Sequence, residues 1–169
     1  QSQFFVSELN SVFKNAIITF MNKKTKEICV FCTKIEVRER EIIGNKLAWA
    51  FPTNIPIVPG HILIVPRRCV ATYGDLTEKE RIAIEKIRIK IIKALKKTFK
   101  AEGFNYAWNE NKVAGQAVPH FHLHVVPRKK GDAGILEYDP RKFLYRPGSR
   151  EITPEKELEK VCEKIRKSI

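Results

Sequence analysis

The sequence lacks any apolar run of the ~18 residues that a membrane helix needs, and it shows no signal-peptide pattern. It also has little cysteine, because only four thiols occur in 169 residues. Without a secretory signal, those thiols are expected to stay reduced in a cytoplasm. These absences predict a cytoplasmic protein that has no membrane partner.

Acidic residues are outnumbered in this chain. Lysine and arginine total 32 against 19 acids, which gives a formal net charge of +13. Such an excess favours anionic partners such as polyphosphates or nucleic acid. The basic residues are scattered along the chain, so a solvated, highly charged surface explains them equally well. A nucleic-acid partner is therefore an open alternative that the pattern does not favour.

Histidine is rare as well, and three of the four histidines stand in residues 115–128, GQAVPHFHLHVVPR. Polar and apolar residues alternate over residues 118–126, which predicts a half-buried strand. Because successive side chains of a strand point to opposite faces, His120, His122 and His124 share one face. Their spacing along it is ~6.6 Å. The opposite, core-facing set is Phe121, Leu123 and Val125. The alternatives are a surface strand with polar histidines and a metal-binding comb.

This run resembles the signature of the histidine triad (HIT) family, His-x-His-x-His followed by two apolar residues. The flanking Gly115-Gln116 and Pro127-Arg128 resemble the fragile histidine triad branch, which hydrolyses dinucleoside polyphosphates. Upstream, VPGHILIVPRR at residues 58–68 resembles another characteristic strand of the family. The resemblance covers residues 29–132. It implies an α+β fold, with an antiparallel sheet of about five strands and helices packed against it.

The chain is expected to form a single HIT-like domain over residues 1–169. In this division, residues 1–28 are an N-terminal helical extension, residues 29–132 the core, and residues 133–169 a C-terminal segment with a helix. A Thr77/Glu80 capping box opens a long helix that ends just before Gly103. The extension's helical stripe is Leu9, Val12, Phe13, Ala16, Ile17 and Phe20. It is interpreted as structural or as a dimer contact, and the resemblance implies a homodimer.

Cys29 and Cys32 form a C-x-x-C motif, which is typical of a metal knuckle or a redox pair. The βαβ context of a thioredoxin-like redox site is missing. Many histidine triad proteins open with this knuckle and bind structural zinc, so the resemblance implies a zinc site completed by Cys69 and His120. Two alternatives stay open: Cys162 as the fourth ligand, and four inert buried thiols.

The resemblance also implies a mechanism. An imidazole with a pKa of ~6.5 is mostly neutral, and therefore nucleophilic, at neutral pH. His122 would attack the α-phosphorus of a nucleotide and form a nucleotidyl-phosphohistidine, which water then hydrolyses. The carbonyl of His120 would hold the other ring nitrogen of His122. His124 would stabilise charge on the phosphate oxygens.

Further positions are implied as substrate contacts. Asn109 matches an amide residue that contacts the scissile phosphate, and His61 lies near the phosphate site in the family, although a structural histidine is the alternative. Gln116 belongs to the loop before the triad. Thr53 stands where many relatives grip the ribose with an acidic residue, and the adjacent Asn54 is the candidate substitute.

The expected function is hydrolysis at the α-phosphate of dinucleoside polyphosphates or related nucleotidyl compounds, with release of a nucleoside monophosphate. A histidine at position 124 favours this over uridylyl transfer, for which relatives carry glutamine. Thr53, the absent hydroxyl at Ala117 and the +13 charge motivate the alternative of a nucleotide- or RNA-binding protein with weak activity. A phosphorylase is a further alternative, whereas a DNA-end deadenylase would need a zinc finger that the sequence does not contain.

Overall fold

The computed structural model describes residues 29–132 and 152–169. The helix predicted in the N-terminal extension lies outside these residues, and the division into a single domain stays a prediction. Two short helices open the described part, α1 at Val30–Thr33 and α2 at Ile35–Glu39. α1 begins inside the C-x-x-C motif, and α2 follows it directly.

Five strands form one sheet in the order β1-β2-β3-β5-β4, and all neighbours are antiparallel. The strands are β1 (Ile43–Gly44), β2 (Ala48–Pro52), β3 (Ile62–Pro66), β4 (Gly103–Ala107) and β5 (Leu123–Arg128). The predicted α+β fold with a five-stranded antiparallel sheet is therefore confirmed.

The two central strands, β2 and β3, are buried along their whole length because both faces of the sheet are covered. Their alternate side chains separate into two cores, as the period of two dictates. The first core, against the long helix, includes Ala48, Ala50, Ile62 and Ile64. The second includes Trp49, Phe51, Leu63 and Val65, together with Cys29, Phe31 and Cys32. The cysteine-bearing segment thus covers the face opposite the long helix.

The long helix α3 spans Glu78–Phe99 and begins with the predicted capping box, in which Thr77 and Glu80 bond to each other's backbone N–H. Its buried stripe comprises Ile84, Ile87, Ile91 and Leu95, with Phe99 partly buried. The prediction that Gly103 ends this helix is wrong. Lys100 takes the left-handed cap conformation, with φ of 55°, and Gly103 already belongs to β4.

The C-terminal helix α4 spans Glu155–Arg166 and buries Leu158, Cys162 and Ile165. Its stripe joins the first core, so the helix predicted at this end of the chain is confirmed. Among the described residues, none of the helices is both long and apolar enough to cross a membrane.

The triad strand is shorter than predicted, because β5 begins only at Leu123 and not near residue 118. Pro119 has no N–H to give to a ladder. His120 turns back to bond its N–H to the carbonyl of Val118 at 2.8 Å, and Phe121 bonds to the loop carbonyl of Val70. His120 and His122 therefore lie on an extended lead-in to the strand. The predicted facing is still confirmed, since Phe121, Leu123 and Val125 enter the first core.

Candidate active site and metal centre

His122 is buried, and its orientation is fixed by one backbone contact. Its Nδ1 atom lies 2.7 Å from the carbonyl oxygen of His120. A carbonyl only accepts hydrogen bonds, so Nδ1 carries the proton, and the lone pair of the neutral ring is on Nε2. Burial lowers the pKa of His122 below its ordinary value. The ring is thus a neutral imidazole whose unprotonated nitrogen is Nε2.

His124 takes the complementary tautomer, which is set by a series of hydrogen bonds that starts at the backbone of Ile57. The N–H of Ile57 donates to Nδ1 of His61 at 3.2 Å, so neutral His61 carries its proton on Nε2. That nitrogen lies 2.9 Å from Nδ1 of His124 and donates to it. The proton of neutral His124 is therefore on Nε2. The ring of His124 also lies beside that of His122, with centroids 5.0 Å apart.

The side chain and the backbone carbonyl of His120 make different contacts. Its Nε2 donates to the carbonyl of Pro66 at 2.9 Å, so Nδ1 is the nitrogen that remains for the thiol cluster. Nδ1 faces the sulfurs of Cys29 at 3.3 Å and Cys32 at 3.5 Å. The side chain of His120 therefore belongs to the thiol cluster, while its carbonyl holds His122.

The ligand atoms of Cys29, Cys32, Cys69 and His120 all lie within 4.8 Å of one another. The first turn of α1 brings Cys29 and Cys32 together, and the chain after β3 brings Cys69 to them. Three thiols and one imidazole nitrogen match the donor set of a closed, tetrahedral zinc site. The residues predicted as metal ligands are thus close enough to form a metal site.

The cysteines and His120 of the cluster shift one another's pKa values. Hydrogen bonds from Cys32, Cys69 and His120 lower the pKa of the Cys29 thiol. Burial alone would lower the pKa of His120, but its hydrogen bonds to Cys29 and Cys32 outweigh burial and raise that pKa to about 9. Hydrogen bonds with Cys29 and Cys32 raise the pKa of the Cys69 thiol. Without a metal, the Cys29 thiolate is thus paired with a protonated His120, and a bound metal would displace that proton.

Cys162 is remote from this cluster. It lies in the first core, on the other face of the sheet, and its thiol donates to the carbonyl of Arg40 at 3.3 Å. The alternative in which Cys162 is the fourth metal ligand is therefore wrong.

Beside the histidines is a cleft of about 380 Å³ that we call the α1–β3 cleft. Its apolar wall consists of Val30, Phe31, Val37, Phe51 and Leu63, and its polar rim includes Lys34, Arg40, Thr53, Asn54 and Glu155. The ring of Phe31 contacts that of His122 edge-on, with centroids 5.5 Å apart. Leu63 pairs with His124 across β3 and β5. Two residues of the cleft wall, Phe31 and Leu63, are therefore neighbours of His122 and His124.

The predicted substrate contacts occupy different surroundings. Asn109 is buried, and its amide nitrogen lies 3.5 Å from the carbonyl of Gly115. Gln116 is also buried: its amide donates to the carbonyl of Ala71 and its oxygen accepts from the N–H of Asn111. The structure thus gives both ends of the Gln116 side chain a partner within the loop.

Thr53 and Asn54 lie on the rim of the α1–β3 cleft. Thr53 is buried, and its N–H donates to the carbonyl of His61 at 3.2 Å. Asn54 is exposed. Sequence reasoning missed the apolar wall and Glu155. The position of Phe31 between two predicted metal ligands was a usable signal for the wall, but no local pattern points to Glu155.

The chain is similar to known proteins in sequence and in structure. A family model described as HIT domain matches residues 34–131. A HIT-like protein of Mycoplasma genitalium is 35% identical over 68% of this chain and 83% of its own length. The bis(5'-adenosyl)-triphosphatase of Dictyostelium discoideum is 31% identical over 77% of this chain and 86% of its own length. The asymmetrical bis(5'-nucleosyl)-tetraphosphatase of Schizosaccharomyces pombe is 36% identical over 61% of this chain, which spans 57% of that relative.

Two solved structures extend the likeness to three dimensions. A diadenosine triphosphate hydrolase of Plasmodium falciparum, solved with cyclomarin A, superposes with a TM-score of 0.63 at 26% identity, over 77% of this chain and 76% of that one. A zinc-bound histidine triad protein of Mycobacterium smegmatis superposes with a TM-score of 0.63 at 25% identity. That superposition covers 85% of this chain and 94% of that one.

Proposed function

Because the chain belongs to the HIT domain family, we propose that it hydrolyses dinucleoside polyphosphates at the α-phosphorus. Relatives named as adenosyl triphosphatase and nucleosyl tetraphosphatase support this substrate class. The observation that carries the proposal is the 2.7 Å contact between Nδ1 of His122 and the carbonyl of His120. It leaves Nε2 of a buried, neutral imidazole as the nucleophile.

In the first step, the Nε2 lone pair of His122 forms a bond to the α-phosphorus. The bond from that phosphorus to the bridging oxygen breaks, and the remaining nucleoside polyphosphate leaves with the electron pair. The ring becomes cationic, and its Nδ1–H, held by the carbonyl of His120, strengthens its hydrogen bond as charge develops. In the second step, water attacks the nucleotidyl-phosphohistidine, which releases the nucleoside monophosphate and restores neutral His122.

This chemistry also requires stabilisation of the negative charge on the phosphate oxygens. We propose that His124 donates its Nε2–H to one of these oxygens, with its tautomer maintained by the donation from His61. Asn109 would add a neutral amide donor. The order Ile57, His61, His124 supports this assignment, because each donor in the series fixes the direction of the next hydrogen bond.

We assign the nucleoside that carries the α-phosphorus to the α1–β3 cleft. Its base would pack on Phe31, Phe51 and Leu63, which provide an apolar wall with an aromatic edge contact to His122. The volume of about 380 Å³ lies in the range of small-molecule sites. Thr53 and Asn54 on the rim would face the ribose.

Cys29, Cys32, Cys69 and His120 would hold a zinc ion, as the donor set and spacing support. A closed four-ligand site supplies structural stabilisation and no activated water. The chain's own contribution is to tie the N-terminal segment to the lead-in of β5, where the carbonyl of His120 holds the nucleophile. Because thiolate ligands must stay reduced, we propose a reducing compartment such as the cytoplasm.

A homodimer is the proposed assembly, and the open edge of strand β4 supports it. Among the described strands β4 pairs only with β5, so its other edge can accept a second copy. Next to that edge is an apolar groove of about 670 Å³, to which exposed Tyr73, Ile82, Tyr106 and Trp108 contribute. Exposed aromatic and apolar side chains around an open edge favour burial against another chain.

Product analysis tests the proposed activity. Diadenosine triphosphate should yield AMP and ADP, and His122→Ala should lose turnover while still melting cooperatively. Addition of inorganic phosphate distinguishes a phosphorylase, which would give ADP in place of AMP. A wild-type protein that leaves diadenosine tri- and tetraphosphate intact would overturn the proposal, and so would a His122→Ala variant that keeps the wild-type rate.

A further inference from the structure

The C-terminal helix α4 contributes to the α1–β3 cleft although it lies outside residues 34–131, the part that matches the family model. The N–H of Thr153 donates to the carbonyl of Asn54 at 2.9 Å, which docks the start of α4 on the loop after β2. Two residues later, Glu155 lines the cleft together with Thr53 and Asn54. A carboxylate is thus brought to the rim from a distant part of the sequence.

Arg40 fixes the direction of that carboxylate. Its Nε donates to Oε1 of Glu155 at 2.6 Å and its Nη2 donates to Oε2 at 2.7 Å, a bidentate pair. The side chain of Arg40 is 10% exposed and that of Glu155 is 49% exposed. Arg40 uses one lone pair of each oxygen, and a carboxylate oxygen offers two. Glu155 can therefore accept two further hydrogen bonds from the open side of the cleft.

The position of Glu155 along the cleft identifies the part of a nucleotide that it faces. Thr53 bonds to the carbonyl of His61, and His61 bonds to His124, so this rim is linked to His124 through His61. In a nucleotide, the ribose lies between the α-phosphorus and the base. The proposed function places the ribose against Thr53 and Asn54, and Glu155 lines the cleft together with both.

The ribose presents two adjacent hydroxyl groups, which are hydrogen-bond donors and need acceptors. The hydroxyl oxygen of Thr53 already accepts from the N–H of Ile55 at 3.3 Å. A carboxylate that keeps two acceptor positions is the better match, as in other nucleotide sites where an acidic side chain binds a ribose hydroxyl.

We infer that Glu155, oriented by Arg40, accepts hydrogen bonds from the ribose hydroxyls and makes the site selective for ribonucleotides. The inference rests on the proposed function, because it takes the α1–β3 cleft as the nucleoside site. Glu155 is a specificity residue, and Arg40 is a positioning residue that acts through it.

The test compares inhibition by AMP and by 2′,3′-dideoxy-AMP for wild type, Glu155→Gln and Glu155→Ala, with diadenosine triphosphate as substrate. Loss of hydrogen bonds to a charged acceptor is expected to weaken wild-type binding of the dideoxy compound about tenfold relative to AMP. Both variants should bind the two compounds within about threefold of each other, because the charged acceptor is removed. Glu159→Gln, one turn further along α4 and exposed, is the matched control and should keep the wild-type preference.

The unfolding temperature of each variant shows whether α4 remains docked. Equilibrium titration with AMP and dideoxy-AMP measures the same preference by binding, without turnover. The inference is overturned if Glu155→Gln keeps the wild-type preference, or if wild type binds AMP and dideoxy-AMP equally. A wild-type protein with no hydrolysis but a Glu155-dependent preference for AMP would contradict the proposed activity and support the ribose contact. The two failures are therefore distinguishable.

Discussion

The Nε2 atom of His61 lies 2.9 Å from the Nδ1 atom of His124, across the neighbouring strands β3 and β5. The backbone N–H of Ile57 occupies the other nitrogen of His61, so the donation runs from His61 to His124. His61, which precedes β3, thus determines which nitrogen of His124 carries the proton. The hydrogen-bond series supports a role for His61 in positioning His124, and a purely structural histidine is the alternative.

Removal of His61 should therefore impair catalysis through His124. We expect His61→Ala to lower kcat with diadenosine triphosphate roughly 3- to 10-fold, since a hydrogen bond between neutral groups contributes ~0.5–1.5 kcal/mol. His61→Gln retains an N–H donor on a side chain of similar reach and should lose less. Steady-state kinetics, with unfolding curves as a control, measures this. An Ala variant within twofold of the wild-type rate would contradict the role of His61.

Metal content gives a test of the thiol cluster. We expect about one zinc per chain in wild-type protein purified without chelator, as a closed Cys₃His site requires. Cys29→Ser and Cys69→Ser should lose the metal and unfold at lower temperature, because metal binding contributes to folding free energy. Cys162→Ser is the matched control, since Cys162 lies in the other core and should keep the metal. Elemental analysis that finds no zinc in wild type, or equal zinc in all variants, would refute the site.

The buried carboxylate of Glu80 makes stability depend on pH. Burial alone would raise the pKa of Glu80, but hydrogen bonds from Arg68 and Thr77 outweigh it and lower that pKa. A group with a lowered folded-state pKa stabilises the fold above its unfolded pKa of ~4.3, and this contribution is lost as pH falls through the folded-state value. Glu80→Gln should therefore cost about 1–3 kcal/mol at pH 7 and progressively less below pH ~4.

Urea denaturation at several pH values measures this difference. Glu78→Gln is the control. Glu78 is exposed in the same first turn of α3, so its substitution should change the unfolding free energy little. An unfolding free energy of Glu80→Gln that equals wild type at pH 7, or a difference that grows as the pH falls, would show that the Glu80 interactions do not stabilise the fold.

The proposed dimer can be tested at the apolar groove beside β4. Ile82 on α3 is 47% exposed and lines this groove. We expect wild type to elute with the mass of two chains and Ile82→Lys to shift toward one, since a buried unpaired charge opposes association. Ile169→Lys, which alters an exposed apolar residue at the C-terminus, should leave the mass unchanged. Light scattering that reports one chain for wild type would contradict the dimer.

Much of the fold could be predicted because its signals are local. The alternation in β5, the capping box at Thr77, and the stripe of α3 each follow from residues that are neighbours in sequence. The predicted start of β5 was wrong because the N–H of His120 bonds within a turn and its carbonyl accepts from His122. Both contacts compete with strand pairing, and period-two alternation does not report them.

The site residues that belong to a sequence motif could be predicted. Those that meet only through tertiary packing could not. The three histidines and the C-x-x-C motif are visible in sequence, and the family resemblance joined Cys69 to them. By contrast, Arg40 and Glu155 are 115 residues apart and meet only because α4 packs beside α2. Gln116 illustrates the same limit, since its partners Ala71 and Asn111 show a loop-stabilising contact that its place beside the triad did not indicate.

The most direct measurement is capture of the covalent intermediate. Wild-type protein mixed with diadenosine triphosphate and quenched within one turnover, under alkaline denaturing conditions that preserve a phosphorus–nitrogen bond, should carry an adenylyl group on the peptide that contains His122. His122→Ala should carry none and should not turn over. Full-rate hydrolysis by wild type with no adduct on that peptide, together with activity in His122→Ala, would contradict nucleophilic attack by His122.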